Sequence, residues 1–230
     1  MIETTDAAIV RTCDDIGPLA FIVMNKHDSI QRYHAKGSFY EADDLALISH
    51  HVDADGVVWD VGANVGNHTV YLARRFPNCT VVPFEMVPRT CELLRLNVAL
   101  NGLQNVDLSK LGCALGKNPG HCHAYARHAN NLGLVRAVLA DDGTIPVTTG
   151  DSLSGDVRVN FLKIDVEGAE LDCLDGMSQL IARDQPVIFI EVDNRNIRAF
   201  EDWLQLHRYA VIQTIKRYEV NCNYLIRPND

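Results

Sequence analysis

The residues of this chain best suited to chemistry are acids and glycines set where strands would end. Residues 57–69 read V-V-W-D-V-G-A-N-V-G-N-H-T. Asp60 precedes a turn built from Gly62, Ala63, Asn64 and Gly66, small residues that let a backbone bend sharply and a ligand come close. Asn67 then opens a segment with Val70, Ala73 and Phe76 at helical spacing, where Asn is a good N-cap. Strand, turn and helix N-terminus together make a nucleotide-type site at the end of a parallel strand. A dinucleotide-binding turn is G-x-G-x-x-G, with the pyrophosphate on the helix N-terminus. Here position 64 is Asn, and Asp60 sets a carboxylate beside the place a pyrophosphate would take. That charge suits a cationic ligand. S-adenosylmethionine carries a sulfonium and an ammonium and no phosphate.

Glu85 is the next acid, directly after the apolar run Thr80–Phe84. An acid about 20 residues beyond such a turn usually takes the ribose hydroxyls of a nucleoside. Met86 can pack on an adenine face or simply fill loose packing. Asp165 ends the run Val159–Ile164 and so faces the crevice where doubly wound proteins bind ligands. Glu167 and Glu170 follow, where helix capping is the competing use. If an acceptor hydroxyl is to lose its proton, the candidate bases are Asp165, Glu167, His68 and Glu41. His68 has the pKa class for such a base, and a helix-surface position is its bland alternative. Asp165 with Asp193 and Asn194 could instead bind Mg²⁺. Asp193 and Asn194 have a simpler use as a helix N-cap, so a metal-free route is expected. His121, Cys122, His123 and His128 form a cluster, but no second Cys or His pair stands at zinc-site spacing, and a polar strand or loop is the better reading.

These residues need strand ends and helix starts to hold them. From Val57 onward, strand-like and helix-like runs alternate. Thr80–Phe84, Val106–Ala114, Val159–Ile164 and Pro186–Ile190 read as strands, the second weakly. Pro88 suits a first helical turn, Leu93, Leu96 and Leu100 stripe that helix, and Gly102 is placed to end it. Leu171, Leu174, Met177 and Ile181 stripe another helix, and Ile197, Phe200 and Leu204 a third. Ala210–Ile215 and Asn223–Ile226 are close enough to form a hairpin. The pattern implies an α/β fold with a mostly parallel sheet, helices on both faces and an antiparallel C-terminal hairpin. Residues 1–52 hold a strand at Pro18–Met24, a short helix capped by Asp28 and another around Leu45–Ile48. They are expected to cover a core domain spanning 53–230.

The chain has 230 residues, a net charge of −9 and 47% hydrophobic residues. That length suits one structural domain. The acidic balance argues against a general nucleic-acid surface, and no apolar run approaches a membrane span. Met1–Asp6 lacks the basic and apolar regions of a signal peptide, and seven cysteines without a C-x-x-C pair suit reduced thiols, so a cytoplasmic location is expected.

The stretches D-V-G-A-N-V-G-N-H-T (60–69), F-E-M-V-P (84–88), N-V-A-L-N-G-L (97–103) and L-K-I-D-V-E-G-A-E (162–170) resemble the FkbM-type S-adenosylmethionine-dependent methyltransferases. The resemblance runs from about Tyr40 to about Glu191. It implies the Rossmann-like class I methyltransferase fold, with a seven-stranded sheet, and methyl transfer to a hydroxyl of a sugar, glycolipid or secondary metabolite. It implies that Asp60, Gly62, Asn64 and Gly66 line the methionine end of the cofactor, and Ala63 and Asn67 of the same turn are expected to touch the cofactor beside them. Glu85 would hold the ribose, and Cys113, Ala114 and Leu115 would flank the adenine beside Met86. Asn67-His68 stands where the family more often has Gly-Tyr or Gly-Phe. The partner implied is a small-molecule or glycan hydroxyl, with no nucleic acid. The alternatives are a cofactor-binding module without catalysis and, less favoured because no Y-x-x-x-K pair is present, a nicotinamide-dependent oxidoreductase.

Overall fold

The computed structural model describes residues 7–126 and 135–229. The chain opens with an antiparallel pair, β1 (Ala8–Cys13) and β2 (Pro18–Val23), followed by the short helices α1 (Gln31–His34) and α2 (Ala42–Ser49). Strand and helix then alternate through β3 (Val57–Val61), α3 (Asn67–Arg75), β4 (Thr80–Phe84) and α4 (Pro88–Leu100). An insertion of strands comes next: β5 (Ala114–Leu115), β6 (Gly120–Ala126), β7 (Val135–Leu139) and β8 (Ile145–Thr148). The alternation resumes with α5 (Gly150–Ser154), β9 (Phe161–Ile164), α6 (Glu170–Asp175), α7 (Ser178–Asp184) and β10 (Val187–Asp193). It closes with α8 (Ile197–His207), β11 (Tyr209–Ile215) and β12 (Asn221–Pro228).

The main sheet has six strands in the order β11-β12-β10-β9-β3-β4. β4, β3, β9 and β10 run parallel, and β12 pairs antiparallel with both β10 and β11. The seventh strand expected over Val106–Ala114 is reduced to one parallel bridge, Val106 to Val81. Asp107 stops it there: its carboxylate accepts from the Ser109 amide at 2.9 Å and caps a 3-10 turn at Leu108–Lys110. A second sheet, β5-β8-β6-β7, stands apart from the first.

Alternation along the strands divides the core into two layers. Trp59, Val61, Leu162, Ile164, Ile188 and Ile190 face the Leu174, Met177, Ile181 and Phe200 side. Val58, Val81, Phe161 and Phe189 face Val70, Leu72, Leu45, Ile48 and Phe21. Two stripes read from the sequence are corrected. In α4 the inward residues are Leu93, Leu94, Asn97 and Val98, and Leu96 is exposed. The stripe Leu171–Ile181 belongs to two helices, α6 and α7, broken at Gly176 and Met177.

Asparagines attach the N-terminal segment to the core. Asn97 Oδ1 accepts from the Ile22 amide at 2.8 Å, and Asn101 bonds both the amide and the carbonyl of Ala20. These α4 side chains thus pair with β2 as a neighbouring strand would. Asp28 Oδ1 accepts from the Ile30 and Gln31 amides, the cap expected of it. Among the described residues no helix is long and apolar enough to cross a membrane.

Candidate active site

The turn after β3 is held from three sides. Gly62 and Ala63 donate their amides to the Phe84 carbonyl, both at 2.9 Å. Asn64 donates to Glu85 Oε2 at 3.0 Å. Lys163 Nζ donates to the Gly62 carbonyl at 2.9 Å. Gly62 has φ +77°, and a Cβ there would fall 1.8 Å from the Asp165 carbonyl oxygen, so only glycine fits. Asn64 also has positive φ, at 51°. Beside this turn lies a cleft lined by Gly62, Asn64, Glu85, Met86, Cys113, Ala114, Leu115, Asp165 and Glu167, and closed on one side by Val135 and Ala137.

Asp60 is not on the cleft wall. It is fully buried on the other face of β3, in register with Lys163 of β9. Lys163 Nζ lies 3.2 Å from Asp60 Oδ1 and 3.7 Å from Asp165 Oδ2, and Thr69 Oγ1 donates to Asp60 Oδ2 at 2.6 Å. Burial alone would push Asp60 up and Lys163 down. Their mutual attraction wins, so Asp60 is held below the usual carboxylate range and Lys163 above the usual amine range. The Asp60 charge is therefore answered inside the protein, by a residue that the sequence reading passed over. A lysine within the apolar run L-K-I was the available signal, because a buried ammonium needs an anion.

His68 is corrected as a base. It is buried beside this pair, and desolvation and the Lys163 charge bring its pKa down to about 3. At neutral pH the ring is neutral, and its conjugate acid is too strong for it to hold a proton taken from an alcohol. Asn67 is corrected too. Gly66 is the helix cap, in the left-handed region, and the Asn67 side chain instead grips Tyr40. It accepts from the Tyr40 amide at 2.9 Å and donates to the Tyr40 carbonyl at 3.0 Å. Ala63, Gly66 and Asn67 are not among the cleft-lining residues.

Glu85 and the adenine-side residues fall together as expected. Glu85 Oε2 accepts from the Asn64 amide and Oε1 from the Val87 amide at 2.8 Å, the Met86 amide also bears on the carboxylate, and the acceptor capacity left over could take a ribose hydroxyl. Burial raises its pKa against these bonds. Glu85→Ala is therefore expected to weaken cofactor binding roughly 10- to 150-fold by calorimetry, the loss of a bond to a charged acceptor. It is also expected to lower the melting temperature without ligand. A strand-end acid would leave stability untouched, but this one satisfies two backbone amides that alanine would orphan.

The remaining acids gather at the carboxyl end of β9 and β10. Asp165, Glu167 and Glu191 each offer an oxygen within 4.8 Å of the others. Glu41 comes to the same place from the N-terminal segment, its side chain only 8% exposed and 2.9 Å from Arg217. Arg217 also bonds Asp44 at 2.7 Å, and Tyr40 Oη meets Tyr218 Oη. Glu41 occupies the left-handed region at φ 54°, as does Glu167 at φ 51°, conformations that non-glycine residues hold at a cost. Burial and the nearby Asp165 charge raise Glu41 to about 7, and burial with the Asp165, Glu167 and Glu41 charges raises Glu191 to about 10. Burial also raises Asp165, against Lys163. Burial and mutual repulsion thus favour a shared proton on this cluster, and Glu41 is poised to exchange one near neutral pH. Glu191 was legible by the logic that picked out Asp165, an acid closing an apolar strand. Arg217 and Tyr218 had no such signal.

Other sequence candidates go elsewhere. Glu170 is buried and bonds Gly168 N at 2.8 Å and Asn196 Nδ2 at 2.8 Å, a structural tie. Asp193 pairs with Arg136 at 3.0 Å and Arg195 at 3.3 Å and caps the turn into α8, while the Asn194 amide bonds the Glu219 carbonyl. These uses take Asp193 and Asn194 away from the cation site considered with Asp165. His123 bonds Asp142 at 3.1 Å on an exposed strand, Cys122 is buried and His128 lies outside the described residues.

A family model described as the Methyltransferase FkbM domain matches residues 60–215. Hexuronic acid methyltransferase AglP of Haloferax volcanii is 30% identical over 156 residues, covering 66% of this chain and 62% of that protein. Methyltransferase 1 of Beauveria bassiana is 28% identical over 148 residues, covering 54% and 59%. The chain thus spans about three-fifths of the length of these relatives. Among solved structures, a methyltransferase FkbM from Methylobacillus flagellatus aligns with a TM-score of 0.57 at 17% identity, covering 86% of this chain and 52% of that one.

Proposed function

The chain belongs to the FkbM methyltransferase domain family, whose methyl donor is S-adenosylmethionine, and from that premise we propose that it methylates a hydroxyl oxygen of a sugar, glycolipid or secondary metabolite. One observation carries the reading. Next to the cleft that would take the cofactor stands a group of carboxylates, Asp165, Glu167, Glu191 and Glu41, where burial and mutual repulsion raise Glu41 to about 7 and push Glu191 upward. Asp165 and Glu167 line the cleft and would orient the acceptor hydroxyl. Glu41 would take its proton as the new O–CH₃ bond forms and the S–CH₃ bond breaks. The cofactor supplies the leaving group, a neutral thioether. The protein supplies alignment, which can contribute about 7–11 kcal/mol, and the base.

Glu85 would hold the ribose, Met86 and Cys113–Leu115 the adenine, and Gly62 and Asn64 of the turn the methionine part. Residues 53–230 act as the cofactor domain and 1–52 complete the acceptor side through Tyr40 and Glu41. A module without catalysis would not need these acids. A cytoplasmic enzyme acting on a small-molecule or glycan hydroxyl, and not on nucleic acid, fits the net charge of −9. The Haloferax relative, a hexuronic acid methyltransferase, supports a glycan-type acceptor.

Proton transfer to Glu41 needs no metal. A divalent cation is the second reading, favoured by the oxygens of Asp165, Glu167 and Glu191 lying within 4.8 Å. The test is transfer of labelled methyl from S-adenosylmethionine to a panel of neutral sugars, uronic acids and phenols, with and without exhaustive chelation. Turnover unchanged by chelation is expected. Activity lost on chelation and restored by Mg²⁺ would select the second reading, and label found only in nucleic acid would reject the acceptor class.

A further inference from the structure

The outer wall of the cofactor cleft is not part of the main sheet. Val135 and Ala137 of β7 supply it, and β7 is the edge strand of the second sheet, paired with β6. Arg136 lies between those two residues and so projects from the opposite face of the strand. Its guanidinium crosses to the end of β10, where Nη2 donates to Asp193 Oδ2 at 3.0 Å. Both side chains are about four-fifths buried, at 19% and 21% exposure. Asp193 is itself fixed: Oδ1 accepts from the Arg195 amide at 3.2 Å, and its own amide donates to Glu170 Oε1 at 3.4 Å. Gly168 leaves room for the neighbouring Arg195 guanidinium, since a Cβ there would lie 2.1 Å from its Nη2, while Arg136 Cζ would be in ordinary contact at 3.7 Å. Among the described residues this is the ion pair that joins a strand of one sheet to a strand of the other.

We infer that Arg136 is a positioning residue for the cofactor, its ion pair with Asp193 clamping β7 against the cleft and so slowing cofactor escape. The inference rests on the cleft being the S-adenosylmethionine site. An edge strand has little else to hold it across the crevice, whereas a planar guanidinium on a largely buried carboxylate fixes both distance and direction. The clamp acts on the bound state, so its loss appears mainly in the dissociation rate.

The test uses the whole chain and S-adenosylhomocysteine as probe, with dissociation followed by stopped-flow displacement. Arg136→Met and Asp193→Asn are each expected to speed dissociation about 10- to 100-fold, with the melting temperature of the free protein within a few degrees of wild type. The double variant should be no faster than either single one, and Arg136→Lys should recover part of the loss. Arg195→Met, which removes a mostly exposed partner, should change the rate less than about threefold. Wild-type dissociation in Arg136→Met, or additive effects in the double variant, would overturn the clamp. If Arg136→Met does not fold, Asp193→Asn decides alone, because asparagine still caps the turn. Failure of the wild-type protein to bind S-adenosylhomocysteine would overturn the cofactor site as well.

Discussion

Glu41→Gln is expected to lower turnover about 10²- to 10⁴-fold while leaving cofactor affinity within a few-fold of wild type. The substitution keeps the size and the polar contacts to Arg217 and Tyr40 but cannot accept a proton. Burial and the Asp165 charge hold Glu41 at about 7, so the active carboxylate is half formed there. As pH falls below 7 the group is protonated, and the wild-type rate should fall about tenfold per unit. Above 7 it should level off. The groups facing Glu41 that set this midpoint are Tyr40, Asp44, Lys163, Asp165, Glu191 and Arg217. In Glu41→Gln the acid limb should vanish. A variant with normal turnover, or with the limb intact, would move the base to Asp165. A variant that loses cofactor affinity at normal saturated turnover would place Glu41 on the cofactor instead.

Lys163→Met is expected to cost about 3–5 kcal/mol of folding stability, the usual price of leaving a buried charge without its partner. For a chain of this size that corresponds to a fall of roughly 6–20 °C in melting temperature. The reason is local. Asp60 is fully buried, and after the substitution only Thr69 would bond it, while the Gly62 carbonyl would lose its donor. Adding Asp60→Asn should restore much of the loss, since a neutral amide needs no counter-ion. A melting temperature within about 2 °C of wild type for Lys163→Met would show that the pair does not stabilise the turn.

The parts of the site that could be read from sequence are those where one short stretch makes its own geometry. The run V-V-W-D-V followed by Gly62 and Gly66 specifies strand, turn and helix locally, and Glu85 follows from the neighbouring strand in the same way. What could not be read is which face each acid takes. Asp60 looked like a ligand group because sequence places it at the strand end. Only the register of β3 with β9 sets Lys163 opposite it and turns both inward. His68 failed as a base for the same reason, since its burial depends on α3 lying over that pair. Glu41 was visible as an acid, but its meeting with Glu191 and Arg217 needs three segments far apart in the chain. The missing seventh strand turned on one residue, Asp107, whose preference for a turn outweighs the apolar residues around it.

The most direct measurement is a crystal structure of the full chain with S-adenosylhomocysteine. The account predicts the ribose hydroxyls on Glu85, the adenine between Met86 and Ala114 with Ala137 beside it, and the sulfur facing the side of the cleft where Asp165, Glu41 and Glu191 gather. A nucleoside bound in the reverse sense, with its sulfur turned away from those carboxylates, would contradict the proton-transfer site and with it the proposed chemistry.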